Sequence, residues 1–436
     1  MLKIHKAALA AIAAGSLSGA VHAQDTRDVH EPVLPPACAV LAAERAPREA
    51  DDAARIQAAI DACAPGRAVY LAARGAQAAF TSGPLVLKSG VTLVVDAGAT
   101  LYASTNPMLF DRGAGSCGAN DASGRGCRPF ISVEKTSGAG IMGDGVIDGQ
   151  GGHLIDGKSE SWWQIARRAQ KENTRQNVPR LIEIGNSRDF TLYRITLRNS
   201  PNFHVAMNRV DGFTAWGVKI DTPHDARNTD GIDPGAARNV TIAHSWIRTG
   251  DDNIAIKAGN GGMTENVSIL HNHFYSGHGM SIGSETNGGV RNVLVEDLDM
   301  DGTTSGLRIK SNDRRGGLVT NIVYRNVCLR NVRWPLSIDT NYTPNQAPGQ
   351  LIPSYADIRM EDVHSLTQGD GLNFEGYDDK HPLQLALKNV TVDGNPKLKT
   401  AYAHLKGELN ASGASPLDCG KRFAPFPAAA AASPAP

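Results

Sequence analysis

A long-period repeat of apolar residues constrains the fold of this chain more than any other feature. Its first row opens runs such as "NVTIAHSWI", and its members are Phe190, Phe213, Val240, Val267, Val293, Ile322 and Ile358. A second row opens runs such as "IAIK" and "LRIK", and its members are Ile254, Met280, Leu307, Leu336 and Leu372. Each second-row residue follows its first-row partner by 13 or 14 positions, whereas the first-row period varies from 23 to 36. A fixed offset with variable connections indicates a solenoid of repeated coils.

The repeated runs predict that the coils are built from strands. Each run holds three to five residues that alternate in polarity and are rich in β-branched side chains. No amphipathic helical segment recurs within each coil. We therefore predict an all-β chain that folds as a right-handed parallel β-helix, with Asn side chains stacked in ladders at its corners.

We expect this β-helix to form a single domain over residues 24–422. Ile56, Ala59, Ile60 and Cys63 fall on one face of a predicted helix, which would cap the apolar N-terminal end of the stack. The segment 423–436 is rich in Ala and Pro, so we expect it to be a disordered tail.

The N-terminus predicts export. Residues 1–23 have a basic start, an Ala-rich apolar stretch and a small-x-small end, which is typical of a signal peptide. No later segment has the roughly 20 apolar residues that a membrane crossing needs, so we expect a soluble extracellular chain. Export permits disulfides, and six cysteines allow fifteen pairings. A nearest-in-sequence guess joins Cys38 with Cys63, Cys117 with Cys127, and Cys328 with Cys419.

Charge and composition exclude several classes of partner. The chain has 44 basic and 44 acidic residues, and no basic run indicates binding of nucleic acid or lipid. No CxxC pair or Cys/His cluster suggests zinc. We expect a monomer without a metal or other cofactor, and any recognition of an acidic ligand must be local.

Acidic residues at the mouths of second-row strands fall into register. Stacked parallel strands lie roughly 4.8 Å apart, so matching positions of successive coils form a column. Asp252 and His278 each precede a second-row residue by two positions, and they should therefore be neighbours. Laying "TDGID" on "DDNIA" adds Asp230 to this column, and Asp251 lies beside it.

This grouping predicts acid/base chemistry on an acidic sugar. Two carboxylates about 5 Å apart cannot both ionise freely, so they divide into an acid and a base, as glycoside hydrolysis requires. On the following coil Arg308 and Lys310 alternate with inward-facing apolar residues and should point outward. They could bind a substrate carboxylate, so we expect replacement of Lys310 by Ala mainly to raise KM.

Four motifs resemble one known family. "NTDG" at 228–231, "GDD" at 250–252, "GHG" at 277–279 and "RIK" at 308–310 are similar, in that order, to the signature of polygalacturonases, glycoside hydrolase family 28. The resemblance to bacterial secreted endo-polygalacturonases extends over nearly all of residues 30–400. It implies hydrolysis of the α-1,4 bonds of polygalacturonic acid or pectin with inversion, on a parallel β-helix and without metal.

The resemblance also implies roles for individual residues. Asp252 would be the general acid, Asp230 and Asp251 would hold and activate water, and His278 would tune the protonation of its carboxylate neighbour. The predicted substrate-binding residues are Arg308, Lys310, Tyr342 in "DTNYTPN", Asn228 in "NTDG" and His204 in "SPNFHV".

Several alternatives stay open at this point. Carboxylates at strand spacing suggest the retaining geometry, whereas the family implies inversion. The adjacent aspartates could bind Ca²⁺, "NTDG" could be only a turn, and His204 could belong to the core. The alternative functions are an exo-acting polygalacturonase, a rhamnogalacturonan hydrolase, a Ca²⁺-dependent pectate lyase and a non-catalytic β-helix that binds polysaccharide.

Overall fold

A computed structural model describes residues 25–44, 51–75, 77–113, 115–121, 123–343, 348–410 and 415–428. The helices are α1 Ala53–Ala62, α2 Pro107–Phe110 and α3 Trp162–Glu172, and a 3₁₀ turn spans Cys419–Lys421. The strands of the N-terminal part are β1 Ala37–Ala42, β2 Arg67–Ala72, β3 Ala79–Ser82, β4 Leu85–Val86, β5 Val91–Val95, β6 Thr100–Ala103, β7 Asn120–Asp121, β8 Ile131–Glu134, β9 Gly140–Met142, β10 Val146–Asp148, β11 Arg175–Gln176, β12 Ile182–Gly185, β13 Arg188–Tyr193, β14 Thr196–Arg198, β15 Val205–Asn208, β16 Asp211–Trp216 and β17 Lys219–Asp221. The remaining strands are β18 Ile232–Asp233, β19 Arg238–Ala243, β20 Trp246–Arg248, β21 Ile254–Ile256, β22 Thr264–Tyr275, β23 Met280–Gly283, β24 Val290–Asp301, β25 Ser305–Lys310, β26 Leu318–Arg330, β27 Trp334–Asp339, β28 Ser354–Ser365, β29 Leu372–Glu375, β30 Leu383–Val392, β31 Leu398–Ala401, β32 Ala403–Lys406 and β33 Leu409–Asn410.

Parallel sheets run along the whole stack. In the part of the chain that the structure describes, one sheet of 11 strands has the order β4-β8-β12-β15-β18-β21-β23-β25-β27-β29-β31, and we call it the groove sheet. A sheet of 20 strands forms the other faces of the coils. Its strands β22, β24, β26 and β28 are 12 or 13 residues long and bend at a residue with positive φ. The chain is a right-handed parallel β-helix, as the repeat predicts.

The first row of the repeat is one column of the 20-stranded sheet. Register pairs each member with the next, so that Phe190 lies beside Phe213 and the column continues to Ile358. The second row forms a matching column in the groove sheet. Side chains of both columns are buried in one continuous apolar core. Burial of these two stripes holds each coil on its neighbour.

Helix α1 covers the N-terminal end of this core. Its residues Ile56 and Ile60 are fully buried, and the helix contacts β2 and β4, where the groove sheet begins. The disulfide Cys38–Cys63 ties strand β1 to the residue that follows the helix. The predicted helix is confirmed at this place in the fold.

The nearest-in-sequence disulfide guess is confirmed. Cys117 is bonded to Cys127, and Cys328 in β26 is bonded to Cys419 near the C-terminus. All six cysteines are therefore paired.

The first residues of the predicted tail contact the β-helix. Phe423 lies under the guanidinium of Arg330, and Phe426 packs edge-on against Tyr275 and under Arg248. Residues 423–428 therefore lie against the stack, because their aromatic rings find cationic and aromatic partners there. Residues 429–436 and the predicted signal peptide, 1–23, lie outside the described residues. Within the described ranges no helix has the length and apolar character needed to cross a membrane.

Candidate active site

The predicted acidic column lies on the groove sheet. Ile232 pairs with Ile254, and Ile254 pairs with Met280. Asp230, Asp252 and His278 each stand two positions before one of these residues, and the coil winding therefore places them on successive coils. The alignment of "TDGID" on "DDNIA" is confirmed.

Asp252 lies at the centre of the cluster. Its side chain is buried, with 2% of the residue exposed. Oδ1 accepts a hydrogen bond from Ser281 Oγ at 2.7 Å, and Oδ2 accepts one from Lys310 Nζ at 2.7 Å. The Nη1 atom of Arg308 is 3.8 Å from Oδ1. One carboxyl group thus faces two cations and a hydroxyl donor.

Asp251 and His278 form a pair beside it. His278 Nδ1 lies 3.0 Å from Asp251 Oδ1, and this oxygen also accepts a hydrogen bond from the backbone N–H of Asp252 at 2.9 Å. Burial alone would raise the pKa of Asp251, but the hydrogen bond and charge of His278, together with the charge of Lys310, hold it well below its usual range. Asp251 is therefore an ionised carboxylate.

The glycines of "GHG" explain how His278 is held. Gly277 and Gly279 have φ of 86° and 75°, and a Cβ on either would lie 2.5 Å or less from a backbone oxygen. The backbone N–H of His278 donates to Asp251 O at 2.8 Å. Only glycine fits both flanking positions, so the sequence of this turn fixes where the imidazole sits.

Asp230 belongs to a buried triad with Lys257 and Asp233. Lys257 Nζ lies 3.1 Å from Asp230 Oδ2 and 2.6 Å from Asp233 Oδ2. Burial raises the pKa of Asp230 well above its usual range, against the opposing charge of Lys257. Burial likewise raises the pKa of Asp233 to about 6. The second oxygen of each carboxyl is buried without a partner among the described residues. Two carboxyls share one cation here, so one of them readily keeps a proton.

The predicted cation pair divides into two different environments. Arg308 is partly exposed, as predicted, whereas Lys310 is 5% exposed and bonded to Asp252. Lys310 therefore points away from the apolar core, as predicted, but it is buried against Asp252 and not exposed to solvent. Its long side chain reaches across the coils because the attraction of a buried carboxylate outweighs hydration of the ammonium. The ring of Tyr342 lies 5.5 Å from the Arg308 guanidinium and 5.4 Å from Lys310 Nζ, at the edge of the same cluster.

Cavities extend along the groove sheet on both sides of the cluster. One of about 460 Å³ is lined by Lys257 and Phe203 among others. Another of about 500 Å³ begins at Arg308 and continues to later coils. The cluster thus lies within an open groove that an extended ligand could follow.

A family of known proteins matches most of this chain. The model of "Glycosyl hydrolases family 28" matches residues 76–410. The chain belongs to glycosyl hydrolases family 28. The stacked carboxylates of this family 28 chain are therefore candidates for the acid and base of glycoside cleavage.

Relatives of the family 28 chain are similar over nearly their full length. An endo-polygalacturonase of Pectobacterium carotovorum subsp. carotovorum is 48% identical over 377 residues, which cover 86% of this chain and 92% of that protein. A polygalacturonase of Ralstonia solanacearum is 42% identical, with 89% of this chain and 86% of that protein covered. The solved polygalacturonase of Erwinia carotovora ssp. carotovora has a TM-score of 0.85 and 46% identity, and the match covers 88% of this chain and 100% of that one.

One predicted residue of the family 28 chain, His204, lies differently from expectation. His204 is fully buried, with Nε2 2.8 Å from Thr222 Oγ1 and Nδ1 3.0 Å from the backbone oxygen of Asp230. Burial lowers its pKa to about 4, so it is a neutral group beneath the groove and not a groove-lining residue. Asn228 is partly exposed with φ of 55°, a backbone conformation that Asn tolerates in turns.

Sequence reasoning missed the triad partners and Ser281. Lys257 ends "IAIK" as Lys310 ends "LRIK", and both lysines bind a carboxylate of an earlier coil. That repeated lysine was a usable signal. Asp233 and Ser281 gave none, because a single polar residue inside a short strand is equally common on a solvated face.

A metal would find few suitable donors in this cluster. One ligand atom each from Asp251, Asp252 and His278 lie within 4.8 Å of one another. Ca²⁺ prefers six to eight oxygen ligands, whereas this set includes an imidazole, and Asp252 already faces Lys310 and Arg308. The donor set does not fit the Ca²⁺ alternative.

Proposed function

We propose that this chain is a secreted endo-polygalacturonase that cleaves α-1,4-galacturonosidic bonds within polygalacturonic acid, with inversion. The observation that carries the proposal is the grouping of three carboxyls with Arg308 and Lys310 in a groove. The carboxyls can supply acid and base, and the cations can bind an acidic sugar. Two relatives from Pectobacterium species, both named endo-polygalacturonases, support the same activity and substrate.

The carboxyls divide the proton transfers between them. Asp252 donates a proton to the departing glycosidic oxygen while water attacks the anomeric carbon from the opposite face. Asp251, whose pKa is held low, stays ionised and orients this water. Asp230, whose pKa is raised by burial, is suited to accept the proton that the water loses.

Lys310 links substrate binding to the acid. A galacturonate carboxylate bound at Arg308 and Lys310 competes with Asp252 for the Lys310 ammonium. Binding of the correct acidic unit thereby weakens the ion pair of Asp252. A neutral sugar leaves the pair intact.

The test is hydrolysis of polygalacturonate by the purified chain in excess chelator, followed as new reducing ends and as product size. We expect a ladder of oligomers early in the reaction. Asp252→Asn should lower kcat by at least about 10²- to 10⁴-fold. Asp189→Asn, at an exposed corner of the other sheet, serves as the matched control.

Two of the alternatives, exo action and a lyase, have distinct outcomes. A single small product would indicate exo action, and an ultraviolet-absorbing unsaturated product lost with chelator would indicate a lyase. Normal activity of an Asp252→Asn variant would show that Asp252 is not the general acid. Inversion requires that the first product seen by NMR is the β-anomer, whereas the α-anomer would mean retention.

Export and oligomeric state are further parts of the proposal. Three disulfides support an oxidising compartment. Fusion of residues 1–23 to a reporter protein would test the predicted signal peptide, which should direct the reporter out of the cell and be cleaved from it. Light scattering of the purified chain would test the predicted monomer.

A further inference from the structure

Beyond the catalytic carboxyls, the floor of the groove carries an exposed tryptophan and two lysines. Ser305 pairs with Trp334, and Ser305 itself stands two positions before Leu307 in the register that contains His278. Trp334 therefore continues the column of Asp252 and His278, two coils further along. At roughly 4.8 Å per coil, its backbone lies about 10 Å beyond that of His278.

A second column continues from Arg308. Register pairs Arg308 with Ser337, Ser337 with Asn373, and Asn373 with Lys399. Lys399 thus stands three coils beyond Arg308, about 14 Å away at the normal strand spacing. Both columns border the same cavity of about 500 Å³, which Lys397 also lines.

Trp334 is exposed in a place where burial would be expected. It is 40% exposed, although large aromatic side chains stabilise a fold mainly by being buried. An exposed aromatic face on the floor of a cavity offers a flat apolar surface to a sugar ring. Among the described residues, Arg333 approaches this ring, with its guanidinium 5.9 Å from the ring centroid.

Among the described residues around this cavity, one cation is left without an acidic partner. Asp370 forms an ion pair with Arg333, and Glu375 forms one with Lys399, so both nearby carboxylates are neutralised within the protein. Lys397 is exposed, and no acidic group lies in ion-pair contact with it in the described part of the chain. The cavity therefore presents a free ammonium and an aromatic face to the same volume.

We propose that Trp334 and Lys397 form a distal subsite that binds a further acidic pyranose unit of the polymer, several sugar residues from the cleaved bond. This inference rests on the proposed function, since it needs a polyuronate chain in the groove. Trp334 stacks on the ring of that unit, and the Lys397 ammonium binds its carboxylate. The enzyme thereby favours long chains over short oligomers.

The experiment compares kcat/KM on oligogalacturonides of graded length for Trp334→Ala, Lys397→Ala and wild type. Lys388→Ala, an exposed lysine on β30 of the other sheet, is the matched control. On long oligomers Trp334→Ala should lose about two- to tenfold, as for other aromatic contacts. Lys397→Ala should lose about two- to fivefold at low salt, and less at high salt. Oligomers too short to reach the cavity should react equally with all four proteins.

The outcomes separate the two proposals. A wild-type protein that cleaves oligogalacturonides, with both variants unchanged at every length, overturns the distal subsite and leaves the proposed function intact. Equal losses on short and long oligomers also overturn it, because the residues then act on the catalytic cluster. If wild type cleaves no galacturonide, the proposed function fails, and calorimetric titration of wild type and Trp334→Ala with long oligomers still decides whether Trp334 binds them.

Discussion

Two buried carboxyls that share one lysine determine the electrostatics of this part of the site. Asp230 and Asp233 share Lys257, and burial raises the pKa of both carboxyls. An arrangement with one cation for two acids is costly when both acids are ionised. The protein tolerates it because one carboxyl can keep a proton, and a carboxyl with a raised pKa is a stronger base for accepting a proton from water once it is ionised.

Asp233→Asn should change how stability depends on pH. In wild type the pKa of Asp233 rises from about 4 in the unfolded chain to about 6 in the fold. The folded state then binds more protons between these values, so the free energy of unfolding falls as pH rises through this window. Asp233→Asn should lack this contribution to the decrease in the free energy of unfolding. Urea unfolding at pH 4.5 and pH 7 measures it, and an unchanged difference between the two pH values would contradict the shared-proton interpretation.

Lys310→Ala should lower kcat as well as raise KM. The sequence predicts an effect mainly on KM, but the structure bonds Lys310 to Asp252 at 2.7 Å. In the proposed complex Lys310 also binds the substrate carboxylate beside the cleaved bond, and loss of a hydrogen bond to a charged group in the transition state costs about 1.5–3 kcal/mol, so kcat should fall about tenfold to a hundredfold. Lys310→Arg keeps the charge and should retain more activity. Steady-state kinetics that show a change in KM alone would restore the simpler carboxylate-binding role.

At the scale of the secondary-structure element, the corners of successive coils carry hydrogen-bonded asparagines. Asn266, Asn292 and Asn321 lie on successive coils, each with φ between 53° and 58°. Asn292 Nδ2 donates to Asn266 Oδ1 at 3.0 Å, and Asn321 Nδ2 donates to Asn292 Oδ1 at 3.0 Å. The predicted Asn ladder is confirmed. Asn suits this position twice, since it tolerates the left-handed conformation and carries both a donor and an acceptor.

Two substitutions at Asn292 should separate these contributions. Asn292→Gly keeps the backbone conformation accessible and loses two ladder hydrogen bonds, at about 0.5–1.5 kcal/mol each. Asn292→Ala loses the same bonds and also pays about 1–2 kcal/mol for positive φ. Chemical unfolding should therefore rank wild type above Gly and Gly above Ala. If Ala proved as stable as Gly, backbone strain at the corner would not matter.

The sequence predicts the register of the strands correctly but not the partners of individual long side chains. The two apolar rows determine which residues share a column, because strand register follows from burial of one face. The grouping of Asp230, Asp252 and His278 therefore follows from the sequence alone. The partners of Lys257 and Lys310 could not, because a long side chain can reach several neighbours and only the three-dimensional charges select one. His204 was misplaced for a related reason, since its hydrogen-bond partners come from another coil and a loop.

At the scale of the whole molecule, the C-terminal segment ties several coils together. Cys419 is bonded to Cys328, and Arg422 Nε lies 2.8 Å from Asp299 Oδ1. Phe426 reaches Tyr275 on an earlier coil. In a solenoid each coil contacts only its neighbours, so a segment that crosses several coils couples their unfolding.

Removing the Cys328–Cys419 bond should therefore destabilise the protein more than removing Cys117–Cys127. Cys328–Cys419 and Cys117–Cys127 close loops with sequence separations of 91 and 10. From loop-closure entropy alone, the bond that closes the longer loop stabilises the fold by about 2 kcal/mol more than the other. Paired Cys→Ala variants, compared by urea unfolding under oxidising conditions, measure the difference. We expect the 328/419 variant to unfold at lower urea and with a broader transition, as coils under the freed segment open separately. Equal losses for the two variants would mean that each bond acts only on its own coil and that the C-terminal segment does not couple the stack.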